Sequence, residues 1–565
     1  MVHRLICQQA ISSVAITALI AGFFGPRCHG QAKLGAEEQR AAATITPEVM
    51  RGAIRFLADD LLEGRGPASR GDQLAELYIA AELERLGLLP AAPGGGWYQK
   101  FDVLGVRGKP GSLTAAGSAG KAEFKYFDDF IAVAGNQQPS AQVEGAEVVF
   151  VGYGIDAPEY AWDDYKGADL RGKVLLMMNN DPEADPDLFA GKTRLYYGRW
   201  TYKYEIAAAK GAAAALIIHT DPSAGYPWQV VQTSWSGEQF EIPLEKPSPL
   251  ALKMWATEKA SRSIAALGGQ DLDQLRAAAE KRDFRPVSLG VRLTLAVTSE
   301  VHAVKTGNVI GMLPGRDPAL AREAVIYTAH HDHLGVAATA KPGADRIYNG
   351  AVDNASGVAG MLAIARAFQA LPQPPRRSIL FAAVAAEEQG LLGSRYLAQH
   401  PPLAPGFLAA NINIDSVSIF GRAKDLTMIG LGKSSLDALA KELAAAQDRV
   451  LLGDQFPDKG YFYRSDQFNL AKIGVPAAYF EAGIQIRGKP EGWGKQRHQE
   501  WEETDYHQPS DELKDGWDLA GAVEDMQLDF LLGLRVANQD ALPAWNPGDE
   551  FEAARKAALK QRGTP

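Results

Sequence analysis

"SILFAAVAAEEQGLLGS" occupies residues 378–394. Its opening run, 378–386, is small or apolar throughout, and it leads straight into Glu387, Glu388 and a nearby glycine, Gly390. A short run without polar alternation suits a strand buried on both faces. Two carboxylates side by side at the end of such a strand would repel, and one would be forced to keep its proton unless a cation lies beside them. The stretch therefore predicts a strand interior and a charged partner at its carboxyl end.

The same form recurs on either side. "NVIGMLPG" (308–315), "EAVIYTAHHD" (323–332), "LAANINID" (408–415) and "VPAAYFEAG" (475–483) are short apolar runs, and "ASGVAGMLAIARAFQAL" (355–371) and "SSLDALAKELAAAQ" (434–447) between them have helical spacing. Strands alternating with helices predict an α/β fold with a doubly wound, mostly parallel sheet covered by helices on both faces. Ligands of such sheets bind beyond the carboxyl ends of the strands.

Those ends carry potential metal ligands. "YTAHHDHLG" brings His330 and Asp332, which share a face if the strand continues that far. "NGAVDNASG" places Asp353 at the mouth of a helix, "NINID" ends in Asp415, and "TDYHQPSDEL" offers His507 before a helix predicted to be capped by Ser510. Two histidines and several carboxylates suit a zinc-type divalent ion. Because neighbouring side chains diverge, Glu388 can bind a metal while Glu387 faces a water on it, so one strand end supplies both a ligand and a general base. His331 and His333 are read as structural or supporting and stay outside the metal set. His219, His302, His400 and His498 have no recurring context.

The wider chain is compatible with this chemistry. Of 565 residues, 46% are hydrophobic and 22% charged, and the net charge of −10 argues against nucleic acid as a partner. Residues 1–30 read as an export signal: His3 and Arg4 precede an apolar stretch, 10–25, shorter than the roughly 20 residues that span a bilayer. Both cysteines, Cys7 and Cys28, lie in this leader, so the expected mature protein has no thiolate for metal binding or nucleophilic attack. An exported protein without stable membrane association after signal removal is the resulting expectation. Helical spacing over 46–65 and 71–90, with Thr46 as N-cap, Pro47 at the first helical position and Gly87 as stop, opens the folded part.

The motifs "AHHDHLG", "DNASG", "EEQGLLGS", "NID" and "YHQPSDE", in that order, resemble the M28 family of zinc metallopeptidases, whose best-known members are two-zinc aminopeptidases. The helical opening at 55–90 resembles the start of peptidase domains in that family, and the region 143–220 is similar to a protease-associated (PA) domain. The resemblance implies residues 40–130 as the N-terminal part of the peptidase domain, 131–295 as a β-rich PA-like insertion, 296–545 as the catalytic domain and 546–565 as a charged tail. It implies two Zn2+: His330 and Asp415 holding one, Glu388 and His507 the other, and Asp353 bridging. Asp332 would orient His330, Glu387 would be the general base, and Tyr506 would donate to the oxyanion. Two departures from the family pattern are Val352, where many members have a second aspartate, and Gln467, where a histidine is frequent; the latter bears on the substrate pocket.

The implied activity is an aminopeptidase acting on peptides or proteins with a free N-terminus. Three rivals stay open at this point: a single-zinc glutaminyl-peptide cyclotransferase, a carboxypeptidase acting on acidic peptides, and a receptor-like binding protein without catalysis.

Overall fold

A computed structural model describes residues 34–562 except 184, 187 and 338–341; the expected export signal lies outside them. Ala324–His330 sits inside the sheet, parallel to Ser378–Val384 on one side and to Leu408–Asn413 on the other. Leu408–Asn413 continues in parallel to Ala477–Glu481. Asp425–Ile429 then pairs antiparallel to Ala477–Glu481 and parallel to Val450–Gly453. On the other flank, the last residues of Val287–Leu313 run antiparallel to Ser378–Val384. The expected doubly wound, mostly parallel sheet is present.

Its two faces follow from period-two alternation. Val325, Tyr327, Ala329, Ile379 and Phe381 share one core with helices Pro47–Leu57, Arg70–Arg85, Gly357–Gln369 and Ala520–Asn538. The intervening Ala324, Ile326, Leu380 and Ala382 pack with Leu397 and Leu470, from helices Leu392–Gln399 and Gln467–Lys472, on the opposite face. Each large side chain so buried contributes roughly 1.5–3 kcal/mol, which is why uninterrupted apolar strands are retained here. The helix Pro47–Leu57 begins as expected, with the Thr46 hydroxyl accepting from Val49 N at 3.4 Å.

The glycine of "LLGS" has a specific task. Gly393 N donates to Ala385 O at 2.8 Å, and a Cβ on Gly393 would lie 2.3 Å from that same oxygen. Only a residue without a side chain lets the next helix fold back so tightly over the strand end carrying Glu387 and Glu388.

A second hydrophobic core is built from strands including Phe130–Ala134, Ser140–Phe150, Val174–Met178, Ala214–His219 and Leu252–Thr257. Val106, Leu113, Ala115 and Phe124 pack into it as well, so it starts earlier than the expected boundary at 130/131. The expected boundary at 295/296 falls inside one continuous strand, Val287–Leu313. That strand pairs first with Ser140–Phe150, then along Tyr98–Pro110, and finally with Ser378–Val384. One strand thus serves both cores, with alternating burial in its first half and continuous burial near its end.

Residues 546–565, expected as a charged tail, are packed in their described part. Glu552–Arg562 is a helix, and Arg555, 2% exposed, donates to Leu408 O at 2.9 Å. Arg555 thus serves main-chain carbonyls, and Arg562 meets the buried Glu323. Among the described residues, no helix is long and apolar enough to cross a membrane.

Candidate metal centre

Three strand ends and two further loops converge on one cluster. His330 is the last residue of its strand, Glu387 and Glu388 follow Ser378–Val384, and Asp415 follows Leu408–Asn413. Asp353 comes from the turn 351–356 that enters helix Gly357–Gln369, and His507 from a loop where its φ is 56°.

Asp353 divides the cluster in two. Its Oδ1 lies 3.2 Å from His330 Nε2, which is also 3.2 Å from Asp415 Oδ1. Its Oδ2 lies 3.3 Å from His507 Nε2, which is 3.1 Å from Glu388 Oε2. These separations exceed the about 2.7–2.9 Å of a charge-assisted hydrogen bond. They match the edge of a tetrahedron with bonds of about 2.0–2.1 Å, which is about 3.3 Å. His507 Nε2 is buried without a well-formed hydrogen bond, as expected of an atom whose partner is a cation. On geometry and donor chemistry, the residues fit a zinc-type divalent ion. His330, Asp353 and Asp415 form one group able to hold a metal ion, and His333, Asp353 and Glu388 form another, with His333 where His507 was expected.

The electrostatics agree. Despite the cost of burial, neighbouring carboxylates lift His330 well above its ordinary range and His507 to about 10. Asp353 is held well below the usual carboxylate range, since His330 and His507 overcome its burial. The adjacent glutamates diverge. Burial, offset by His330 but reinforced by Asp415 and Glu388, pushes Glu387 well up, whereas His507 and His333 overcome burial to hold Glu388 at about 2.

The surrounding loops are fixed by groups of less obvious sequence signature. Asp511, 1% exposed, accepts from Val352 N at 3.0 Å and from Asp353 N at 3.1 Å. Asn354 ties the Asp353 turn to the Asp415 loop, donating to Ile414 O at 3.0 Å and accepting from Ser416 N at 2.9 Å. Ser465 donates to Asp415 Oδ2 at 2.5 Å. The fully buried Arg65 donates to the carbonyls of His331 (2.8 Å), Asn349 (2.6 Å) and Gly350 (3.0 Å), clamping two site loops with charge-assisted bonds.

Several expectations need adjustment. The strand stops at His330, so Asp332 does not share its face by pleating. The Asp332 carboxylate instead accepts from Glu387 N at 3.0 Å and Glu388 N at 3.3 Å, and its Oδ1 is 3.7 Å from His330 Nδ1. Asp332 therefore joins the His330 and Glu388 loops through the backbone more than it orients His330. No helix follows Ser510: the next one begins at Ala520, and the Ser510 hydroxyl donates to Thr504 O at 2.9 Å. Gln467 is fully buried, hydrogen-bonded to Asn413 and Phe462 O, and does not line the cavity beside the cluster. His333, left outside the metal set, is buried with Nδ1 2.6 Å from Glu388 Oε1. That distance is a direct ion-pair contact to the outer oxygen of Glu388, and "HHDHLG" gave no means of telling this histidine from His331, which pairs with Asp72 at 3.0 Å.

A cavity opens on the cluster. His330, Asp353, Glu387, Glu388 and Asp415 line its floor, and Tyr461, Arg464, Glu481, Trp501 and Tyr506 are among its walls. Tyr506 rests against the His507 ring, with centroids 4.0 Å apart, and its hydroxyl accepts from Arg464 Nη2 at 3.2 Å. Burial lifts Glu481 to about 8. Glu503 and Asp505, the acids nearest His507 in sequence, are not in the wall; Asp505 pairs with Lys514 at 2.7 Å.

The chain is similar to several known proteins. A sequence model described as peptidase family M28 matches residues 308–531. A segment of 68 residues is 53% identical to a protein named probable zinc metalloprotease from Pyrenophora tritici-repentis (strain Pt-1C-BFP), covering 12% of this chain and 15% of that protein. A match of the same length and identity, to the probable zinc metalloprotease of Pyrenophora teres f. teres (strain 0-1), covers 12% of this chain and 14% of the relative. The chain thus matches about a seventh of the length of these relatives. The fold is similar to that of the aminopeptidase from Aneurinibacillus sp. strain AM-1, with a TM-score of 0.50 and 20% identity over 89% of this chain and 97% of that one. The match to the peptidase family M28 model spans every loop that builds the cluster, from His330 to His507.

Proposed function

We propose that this protein is an exported zinc-dependent exopeptidase, an aminopeptidase that removes N-terminal residues from peptides. The observation that carries the reading is the two-sided placement of Asp353, one oxygen toward His330 and Asp415 and the other toward His507 and Glu388. In this assignment His330 and Asp415 hold one zinc, Glu388 and His507 the second, and Asp353 is shared. Zinc, when bound, supplies a water acidic enough to ionise near neutral pH and positive charge for a developing oxyanion.

The chain's own residues complete the chemistry. Glu387, on the cavity floor beside the ligand Glu388, accepts the proton of the attacking water and returns it to the leaving amine. The pKa raised by burial suits it to hold that proton between the two steps. Tyr506, whose phenol burial keeps protonated, donates its hydroxyl hydrogen to the oxyanion. Arg464, donating to the same phenol oxygen, fixes where that hydroxyl points. Export rests on the leader and on the absence of cysteine beyond it.

The second body reaches the peptidase part beside the cluster. Helix Trp228–Trp235, from the second body, is pinned to the peptidase part by Gln229 Nε2 donating to Glu503 O at 2.9 Å. A carboxypeptidase is the second reading, favoured by one observation: Arg464 Nη1 in the cavity wall is buried without a partner and could receive a carboxylate.

A panel of aminoacyl chromogenic amides decides, run with their N-acetylated counterparts and with peptides of free or amidated C-terminus. The expected result is cleavage that disappears on N-acetylation and is indifferent to C-terminal amidation. Cleavage that requires a free C-terminus and tolerates N-acetylation would replace the aminopeptidase reading with the carboxypeptidase one.

A further inference from the structure

His507 belongs to a loop, and its backbone lies in the left-handed region at φ 56°, so no regular element sets the direction of its ring. Its Nε2 faces Asp353 and Glu388, which leaves Nδ1 to determine ring orientation and tautomer. The partner of Nδ1 comes from the far body of the molecule: Ser234 Oγ, 2.9 Å away and 273 residues distant in sequence. An imidazole that ligates a metal through one nitrogen carries its proton on the other, and the hydrogen bond made there fixes tautomer and ring plane.

Ser234 is itself held. It sits in helix Trp228–Trp235, where Gln239 Nε2 donates to its carbonyl at 3.0 Å. The next residue, Trp235, packs edge-on against Trp200 with centroids 5.0 Å apart. Close by, Phe240 N donates to Gln389 Oε1 at 2.9 Å, joining the same body to the residue after Glu388. The second body thus touches both residues assigned above to one zinc, His507 directly and Glu388 through its neighbour.

Resting on that metal assignment, we infer that Ser234 is a positioning residue of the metal centre, and that docking of the β-rich body completes the site at His507. Nδ1–H donates to Ser234 Oγ, presenting the Nε2 lone pair to the zinc shared with Glu388. Docking is then coupled to metal affinity: separating the two bodies would loosen one zinc and leave the His330–Asp415 position unaffected.

The test compares the wild-type holoenzyme with Ser234→Ala and Ser234→Thr, titrated against zinc buffers of decreasing free zinc, with retained zinc read by mass spectrometry. Losses of this kind are about 10–100-fold in affinity. For Ser234→Ala, one of two zinc equivalents should be released at about 10–100-fold higher free zinc than in wild type, with the second equivalent unchanged. Ser234→Thr should restore retention, and the thermal midpoint of the metal-free Ser234→Ala protein should equal that of metal-free wild type. Wild-type retention of both equivalents by Ser234→Ala would overturn the inference. So would a matching drop in the metal-free midpoint, which would make Ser234 a packing residue. A wild-type enzyme that binds no zinc at this site would overturn the underlying assignment and the inference with it, so the two failures are distinguishable.

Discussion

Glu387→Gln is expected to retain its zinc and lose turnover by about 10²–10⁴-fold, the range supplied by a positioned general acid–base group. Glutamine has nearly the shape of glutamate but cannot accept the proton of the attacking water. The substitution leaves the local scaffold alone, because Asp332 holds residue 387 by its backbone N–H at 3.0 Å. Glu388, next in the chain, cannot substitute: His507 and His333 keep it ionised at about 2, with one oxygen toward His507 and the other at His333. Steady-state kinetics on an aminoacyl amide, with zinc content measured on the same sample, checks the expectation. A Glu387→Gln enzyme within tenfold of wild-type kcat would remove Glu387 from the mechanism.

Asp353→Asn is expected to cause the broadest loss. The carboxylate serves both halves of the cluster, whereas a carboxamide offers one oxygen and turns an NH2 donor toward the other half. At least one zinc equivalent should be lost on dialysis, and activity should fall by more than the about 10–100-fold typical of outer partners of a metal site. The main-chain N–H of residue 353 still donates to Asp511, so the turn itself should persist. Zinc content and near-ultraviolet circular dichroism separate loss of metal from loss of fold. An Asp353→Asn protein with two tightly held zinc ions would contradict the sharing of this carboxylate.

The strand ends were legible because burial makes them costly. An apolar run such as 378–386 has no reason to finish in two carboxylates unless its end opens onto a charged partner, and the same logic applied to His330 and Asp415. The lack of polar alternation within the strands likewise foretold two covered faces. What was not legible depends on long-range contacts or on choices among similar residues. Ser234 carries no mark in "QTSWSG" of its meeting with His507. Asp511 looks like part of a helix start, yet its carboxylate caps the Asp353 turn. His331 and His333 differ in sequence only by position, and the fold sends one to Asp72 and the other to Glu388. Val287–Leu313 changes from alternating to continuous burial without a turn between the two cores, so its sequence carries no mark of where one core gives way to the other.

Crystals of the purified enzyme measured at the zinc absorption edge offer the most direct test of the central claim. Two anomalous peaks about 3.5–4 Å apart are expected, with the Asp353 carboxylate between them. The first should be bounded by His330 and Asp415, the second by Glu388 and His507. A single peak, or peaks away from Asp353, would contradict it.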